Sequence, residues 1–397
     1  MSRVLISGAS AAGPALALWL YRAGHEVTVV ERSPAVRDGG YPIDLRGVAI
    51  DVVERMGLLD EVVAADIATR AATFVDDRGR IVASLAADRR DAANRDVELP
   101  RGDLTAILYA ATRNDVEYVF SDSIAGLQQD PSGVGVTFER SAPRTFDLVV
   151  GADGLHSIVR RLAFGPEERY RHDLGLNYAG FSVPNTFGLA QEAVIYNVPG
   201  RAAALYAVRG RSEVIALLAF AGPPSGARHD VAAQQALVTA AFTGLGWHVP
   251  EVLGRMEGAA DFYFDTVSQV RMPEWTRGRV ALVGDAGYAP SFLSGQGTSL
   301  AVVGAYVLAG APDVATALPA YDRALRDYVE RNQGLAAAGG RMILPRTRAA
   351  LWRRNALLRL APLAARLGLG QGPDRAFTEA TTAIRLDELA APAGVSR

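Results

Sequence analysis

The chain has 397 residues, is 49% hydrophobic and carries a net charge of −2, so it can bury large cores and offers no concentrated positive field to a polyanion. Nucleic acid is disfavoured as a partner. Lysine and cysteine are both absent, which removes Schiff-base chemistry, lysine-dependent phosphate loops, thiolate metal sites, disulfides and cysteinyl cofactor links.

The first element is a short apolar run, Val4-Leu5-Ile6, suited to a parallel strand buried on both faces. The turn Gly8-Ala9-Ser10-Ala11-Ala12-Gly13 opens directly into an apolar helical pattern, and a second strand follows, ending at Glu31-Arg32. Small residues in that turn allow a pyrophosphate to approach the backbone, while the N–H groups of the helix start favour the anion. Glu31 stands where a carboxylate can accept two ribose hydroxyls, although Ser10 occupies the second glycine position of the G-x-G-x-x-G pattern. An ordinary tight strand–helix turn is the alternative. No charged-then-apolar leader precedes the first strand, so a cytoplasmic protein is expected.

The stretch Asp38-Gly39-Gly40-Tyr41-Pro42-Ile43-Asp44-Leu45-Arg46-Gly47 reads as a ligand-lining loop before a helix through Met56. Residues 73–85 read as a strand pair turning at Asp77-Arg78-Gly79, followed by a polar loop to Asp96. Arg101 opens the next helix and, on local sequence, is a solvent-exposed helix-start arginine. Short strands over 116–120, 124–128, 134–138 and 146–150 lead to Gly151-Ala152-Asp153-Gly154, a second strand–turn–helix unit whose acid either faces the same crevice or caps the helix.

From 174 to 220 alternating segments predict an antiparallel sheet, with helices over 231–242 and 250–256 and an aromatic strand at 261–265 whose rings favour the sheet core over substrate contact. The chain then returns with a third strand ending at Gly284-Asp285, the loop Pro290-Ser291-Phe292-Leu293-Ser294-Gly295-Gln296-Gly297 and an apolar helix. Three strand ends thus direct Glu31, Asp153 and Asp285 towards one crevice. The apolar run 300–311 is too short to span a bilayer. The tail, with Arg346, Arg348, Trp352, Arg353, Arg354, Arg359 and Arg366, reads as a bridging helix with a solvated basic face rather than a membrane-associated one.

With these three motifs the chain resembles the class A flavoprotein monooxygenases over residues 3–331. This is the p-hydroxybenzoate hydroxylase-like family, which includes tetracycline-modifying and polyketide hydroxylases. The resemblance implies that Gly8, Ser10 and Gly13, with Ala11 and Ala12 between them, meet the pyrophosphate of FAD, and that Glu31, beside Arg32, meets its adenosine ribose. It assigns Arg101 to the ribityl-phosphate region, reversing the local reading, and Asp153-Gly154 to the family's D-G signature for FAD and nicotinamide nucleotide. Asp285 is assigned to the ribityl hydroxyls, and Gly295, Gln296 and Gly297 to the pyrimidine edge of the flavin. Arg46 resembles the family's arginine in the loop after the first acid. Tyr288 stands where many relatives have histidine, and Pro290-Ser291-Phe292 replaces the usual prolines beside the isoalloxazine.

The implied fold is α/β: a discontinuous Rossmann-like FAD domain (1–70, 98–172, 271–340) with a parallel sheet, an antiparallel substrate domain (71–97, 173–270) and a C-terminal bridging helix and tail (341–397). The implied chemistry is NAD(P)H reduction of FAD, formation of a flavin C4a-hydroperoxide and oxygen transfer to a hydrophobic aromatic or polyketide-like molecule. Pro290, Phe292 and Gly295 are the flavin-proximal candidates, and no catalytic base is assigned. Neither a metal nor a membrane is expected as a partner, and the protein is expected as a monomer or homodimer. A flavin oxidase or dehydrogenase without oxygen insertion and a non-catalytic flavin-binding module are the competing readings.

Overall fold

The computed structural model describes residues 1–37, 40–86, 95–227, 230–310, 318–366, 372–389 and 392. Asp38-Gly39 of the first ligand-lining loop, most of the polar loop before Asp96, Ala311 and residues 367–369 of the tail lie outside the described residues.

The chain begins with β1 (Arg3–Ser7), α1 (Ala12–Arg22) and β2 (Glu26–Glu31), followed by β3 (Pro42–Leu45), α2 (Val48–Met56) and α3 (Leu59–Ala64). It leaves this unit through β4 (Ala71–Val75) and β5 (Ile81–Ala86) and returns with β6 (Val97–Pro100) and α4 (Arg101–Ala110). Next come β7 (Glu117–Phe120), the small meander β8 (Ile124–Asp130), β9 (Gly133–Phe138) and β10 (Arg144–Phe146), then β11 (Leu148–Gly151) and α5 (Ile158–Phe164). A second excursion comprises β12 (Arg171–Pro184), β13 (Glu192–Val198), β14 (Arg201–Ala207), β15 (Glu213–Ala221), α6 (Val231–Phe242), α7 (Val249–Met256) and β16 (Tyr263–Val270). The chain re-enters the first unit with β17 (Thr276–Arg277), β18 (Val280–Leu282), α8 (Asp285–Tyr288), α9 (Gly297–Ala309) and α10 (Leu318–Gly334). It ends with α11 (Ala336–Ile343), α12 (Arg348–Arg366) and α13 (Gly372–Thr381).

Two sheets carry the architecture. The first runs β17-β18-β11-β1-β2-β7, parallel except for β17. Its central strands are buried because helices cover both faces, and α1 is buried continuously from Ala12 to Leu20. The second runs β16-β12-β15-β14-β13-β4-β5, antiparallel except for the β13–β4 pair. Side chains on its two faces alternate, as the pleat requires. Phe181, Val183, Leu205 and Leu218 pack with Val238, Phe242, Val252 and Met256 of α6 and α7. The opposite face carries Tyr178 and Asp265, cross-strand neighbours in register, and turns towards the first unit.

The C-terminal segment joins the two units. In α12, Leu358 packs with Phe74 and Ala83 of the second sheet, and buried Arg354 lies over the Phe74 ring at 4.4 Å while donating to Asn197 Oδ1 at 2.9 Å and to the Met342 carbonyl at 3.0 Å. Further on, Ile384 and Leu386 enter the core of the first unit, and Phe377 of α13 lies beneath Arg46.

Candidate active site

The opening turn owes its shape to two glycines acting for different reasons. Gly8 has φ +107°, and a Cβ there would stand 2.5 Å from the Ala152 carbonyl oxygen. A Cβ on Gly13 would stand 1.9 Å from the Gly8 carbonyl oxygen, so the helix can start this close to the strand only with glycine. No side chain caps α1, and no acid lies in its first turn. Its leading N–H groups therefore face the turn without an internal competitor.

Adjacent parallel strands bring the predicted acids to one edge, but use them differently. Glu31 ends β2; its Oε2 accepts from Ala9 N and its Oε1 from Ser33 N, both at 2.8 Å, which fixes the carboxylate beside the turn with lone pairs to spare. Arg32 points outward and is exposed. Asp153 turns inward: Ser157 Oγ donates to its Oδ1, and the N–H groups of Ile158 and Val159 donate to its Oδ2 at 2.8 and 3.2 Å. Its carboxylate therefore organises the start of α5, the capping role left open by the sequence, while Ser157 adds a cap to Arg160 N. Asp285, at the start of α8, is open to solvent inside the crevice. Enclosure there raises its carboxyl pKa, and the charges of Arg101 and Arg160 oppose the rise.

Arg101 is not a surface arginine. Its Nη2 donates to Ser10 Oγ at 3.0 Å, and it lies among Tyr41, Asp285, Tyr263 and Tyr178. Ser10 thereby gains a role that glycine could not fill. Arg46 is engaged elsewhere: its guanidinium reaches Asp44 Oδ1 at 2.9 Å and Asp96 Oδ2 at 3.4 Å, stacked 5.1 Å over Phe377, so it ties β3 to the chain before β6 and to α13.

The loop after α8 separates into inward and outward residues. Pro290 is buried and its carbonyl accepts from Gln269 Nε2. Ser291 has φ +78°, a conformation rare for a residue with a Cβ, and its Oγ accepts from Leu293 N. Phe292 is half-buried against Tyr178, their centroids 4.7 Å apart. Gly295, at φ +65°, and Gly297 also line the crevice; a Cβ on Gly295 would stand 3.4 Å from Asp44 Oδ2. Gln296 is turned inward, with both side-chain polar atoms buried and without a hydrogen-bond partner among the described residues.

Tyr288 belongs to the core. It is fully buried, its hydroxyl 2.9 Å from that of Tyr321, which donates to the Leu282 carbonyl. The ring fits because residue 304 is glycine, whose Cβ would stand 1.9 Å from the Tyr288 hydroxyl. Tyr288→Phe is expected to lower unfolding stability by about 1 kcal/mol in denaturant titration, with FAD affinity unchanged. A weakened flavin site in that variant would contradict the core assignment.

Tyr41 and Asp44 on the crevice wall come from the stretch read as ligand-lining, whereas Tyr178 and Tyr263 on the same wall read in the sequence only as parts of strands. Tyr263 illustrates the available signal, since Phe262 and Phe264 pack against the helix-covered side while Tyr263 between them is exposed to the crevice. Strand alternation, applied residue by residue, separates these rings. Tyr263 Oη donates to Asp265 Oδ2 at 2.9 Å, and His156 Nε2 lies 2.9 Å from the same oxygen, while His156 Nδ1 approaches Glu167. A polar string thus runs from the crevice, through β16 at the edge of the second sheet and the turn after β11, to Glu167 and its partners Arg160 and Arg171.

A family model described as an FAD binding domain matches residues 1–337. A flavin-dependent monooxygenase from an unknown prokaryotic organism is 39% identical over 338 residues, covering 83% of this chain and 87% of that protein. The chain belongs to the class A flavoprotein monooxygenases. Protein Rv1260 of Mycobacterium tuberculosis is 46% identical over 349 residues, covering 85% of this chain and 93% of that one. Among solved structures, tetracycline destructase Tet(55) superposes with a TM-score of 0.82 at 36% identity, covering 96% of this chain and 97% of that chain. The geometry suits a flavoprotein monooxygenase: the Gly8–Gly13 cradle has no room for a Cβ, the start of α1 is uncapped, and Glu31 is held beside it.

His156 joins the turn after β11 to Asp265 of the second sheet. Burial alone would lower its pKa, but Asp265 and Glu167 outweigh this and raise it. A raised folded pKa contributes stability that is complete below the unfolded value of about 6.5 and is lost as pH rises through the folded value. The difference in melting temperature between wild type and His156→Gln is therefore expected to be largest near about pH 6 and to shrink towards about pH 9. A difference that grows with pH would contradict the charged clasp.

Proposed function

We propose that the protein uses NAD(P)H and dioxygen to hydroxylate, or otherwise oxygenate, a hydrophobic aromatic or polyketide-like small molecule held between the two sheets. The observation that carries this reading is the crevice-facing surface of the second sheet. Gly180 pairs with Leu217, Leu217 with Ala204, and Tyr178 with Ala219, so small residues recess the surface beside Tyr178, Tyr263, Tyr41 and Phe292. Such a floor fits a flat ring system, and its tyrosines add hydrogen-bonding groups at the rim.

FAD, when bound, supplies the redox and oxygen-transfer chemistry. The start of α1 and Glu31 would hold its AMP half, Arg101 and Asp285 its central chain, and the Gly295–Gly297 turn its ring. Burial raises the pKa values of Tyr41, Tyr178 and Tyr263, so all three remain neutral phenols at physiological pH, and Tyr263, whose proton goes to Asp265, offers a substrate its oxygen lone pairs. Tyr178 and Phe292 close the ring-binding space against water, and Asp265 Oδ2 holds the Tyr263 proton.

The reading is tested by following NADH and NADPH oxidation in air with a series of phenols of increasing size and apolarity. Stimulation that rises with apolar ring area is expected. Stimulation confined to small polar phenols would overturn the substrate class, and oxidation of neither nucleotide would overturn the choice of reductant.

A further inference from the structure

The outward face of α12 carries exposed apolar side chains among the exposed arginines expected from the sequence. Trp352, Leu357 and Leu360 are 71%, 69% and 56% exposed. At about 3.6 residues per turn, Trp352 and Leu360 lie opposite the buried pair Arg354 and Leu358, with Leu357 at the margin. The helix therefore has two apolar sides, only one of which packs on the protein. Exposed Arg353 lies to one side of the outward strip, and exposed Arg348 and Arg359 lie to the other. Ile81, 70% exposed, comes from β5, the strand against which α12 packs and to whose Val82 carbonyl Arg359 Nε donates.

Charge and area identify the occupant. The chain as a whole carries −2, yet the segment from Arg341 to Arg366 contains seven arginines and no acidic residue. Trp352, Leu357 and Leu360 together expose roughly 400 Å² of side chain, about half of the 800 Å² per partner that a stable homodimer uses. An aromatic and two leucines level with flanking arginines match the composition of a helix lying in a bilayer interface, where the apolar strip enters the headgroup boundary and the guanidinium groups meet lipid phosphates. No helix among the described residues is long and apolar enough to cross a membrane, so the contact would be peripheral.

We propose that α12 docks the protein on membrane surfaces rich in anionic phospholipid, through Trp352, Leu357 and Leu360 with Arg348, Arg353 and Arg359. The strip is remote from the flavin cradle, being fixed to the outer strands of the second sheet by Arg354 and Leu358.

The test is co-sedimentation of the FAD-loaded protein with vesicles of phosphatidylcholine alone and of phosphatidylcholine containing about one-third phosphatidylglycerol. Binding to the anionic vesicles is expected, with negligible binding to the neutral ones and release at about 0.5 M salt. Arg353→Gln and Arg359→Gln are each expected to weaken binding about fivefold. The triple variant Trp352→Ser, Leu357→Ser, Leu360→Ser is expected to lose binding while keeping its flavin content and melting temperature. Absence of binding to anionic vesicles, or equal binding by the triple variant, would overturn the proposal. So would a wild-type dimer in sedimentation velocity that the triple variant converts to monomer, since a second copy would then be the occupant.

Discussion

Protein carrying Gly13→Ala is expected to lose FAD and part of its stability together. The added methyl would stand 1.9 Å from the Gly8 carbonyl oxygen, a backbone atom with no rotamer to escape into. Gly8 cannot yield, because its own Cβ position is closed by the Ala152 carbonyl at 2.5 Å and because its N–H is bonded to the Val30 carbonyl. The strain must therefore be met by lifting the start of α1 from the sheet, although this helix is buried along most of its length. Overpacking of this kind costs about 1–3 kcal/mol or more, and the displaced N–H groups no longer converge on a pyrophosphate. Desalted protein should be colourless, with a lowered melting temperature. Gly254→Ala is the control: it lies in α7, no described residue outside its own helix turn comes within 4 Å of its Cβ position, and it should leave both properties intact. A yellow Gly13→Ala protein of native stability would contradict the cradle geometry.

Arg101→Ala is expected to raise the FAD dissociation constant about 10–100-fold, in keeping with loss of one or two charge-assisted hydrogen bonds. The guanidinium is placed from both sides. α4 begins at Arg101 itself, and Gly40 allows the loop before β3 to approach the arginine stem, with a Cβ there only 3.4 Å from it. Ser10 then fixes the end of the side chain. Ser10→Ala should weaken FAD by a smaller factor, and the double variant should be no worse than Arg101→Ala, because the serine acts through the arginine. Fluorescence titration of the four proteins reads this directly. Additive losses would separate the two residues and contradict the arrangement.

The fold and the tight glycine turn after β1 were legible in the sequence because they rest on local patterns. Buried parallel strands read as apolar runs, and the glycines and acids occur at fixed offsets from the strand ends. Arg101 was not legible locally: nothing at positions 98–104 announces that a loop bearing Gly40 and a turn bearing Ser10 will meet it. The resemblance to flavoprotein monooxygenases supplied its assignment. Asp153, Asp285 and Glu31 look alike in sequence, yet two are held by backbone N–H groups and only Asp285 is left open to the crevice. Which carboxylate is consumed internally depends on the following turn, and Ser157 is the residue that decides it for Asp153. The inward orientation of Tyr288 was not legible either, since it depends on Gly304 and Tyr321, sixteen and thirty-three residues further on.

The central claim, oxygen insertion by a flavoprotein built on this cradle, is tested most directly with isotopically labelled dioxygen. FAD-loaded protein is incubated with NADPH, a hydrophobic phenolic substrate and the labelled gas, and the product is examined by mass spectrometry. One labelled oxygen atom is expected in the product for each turnover that consumes NADPH. Consumption of NADPH with an oxidised product that contains no label would contradict oxygen insertion and make the protein an oxidase or dehydrogenase.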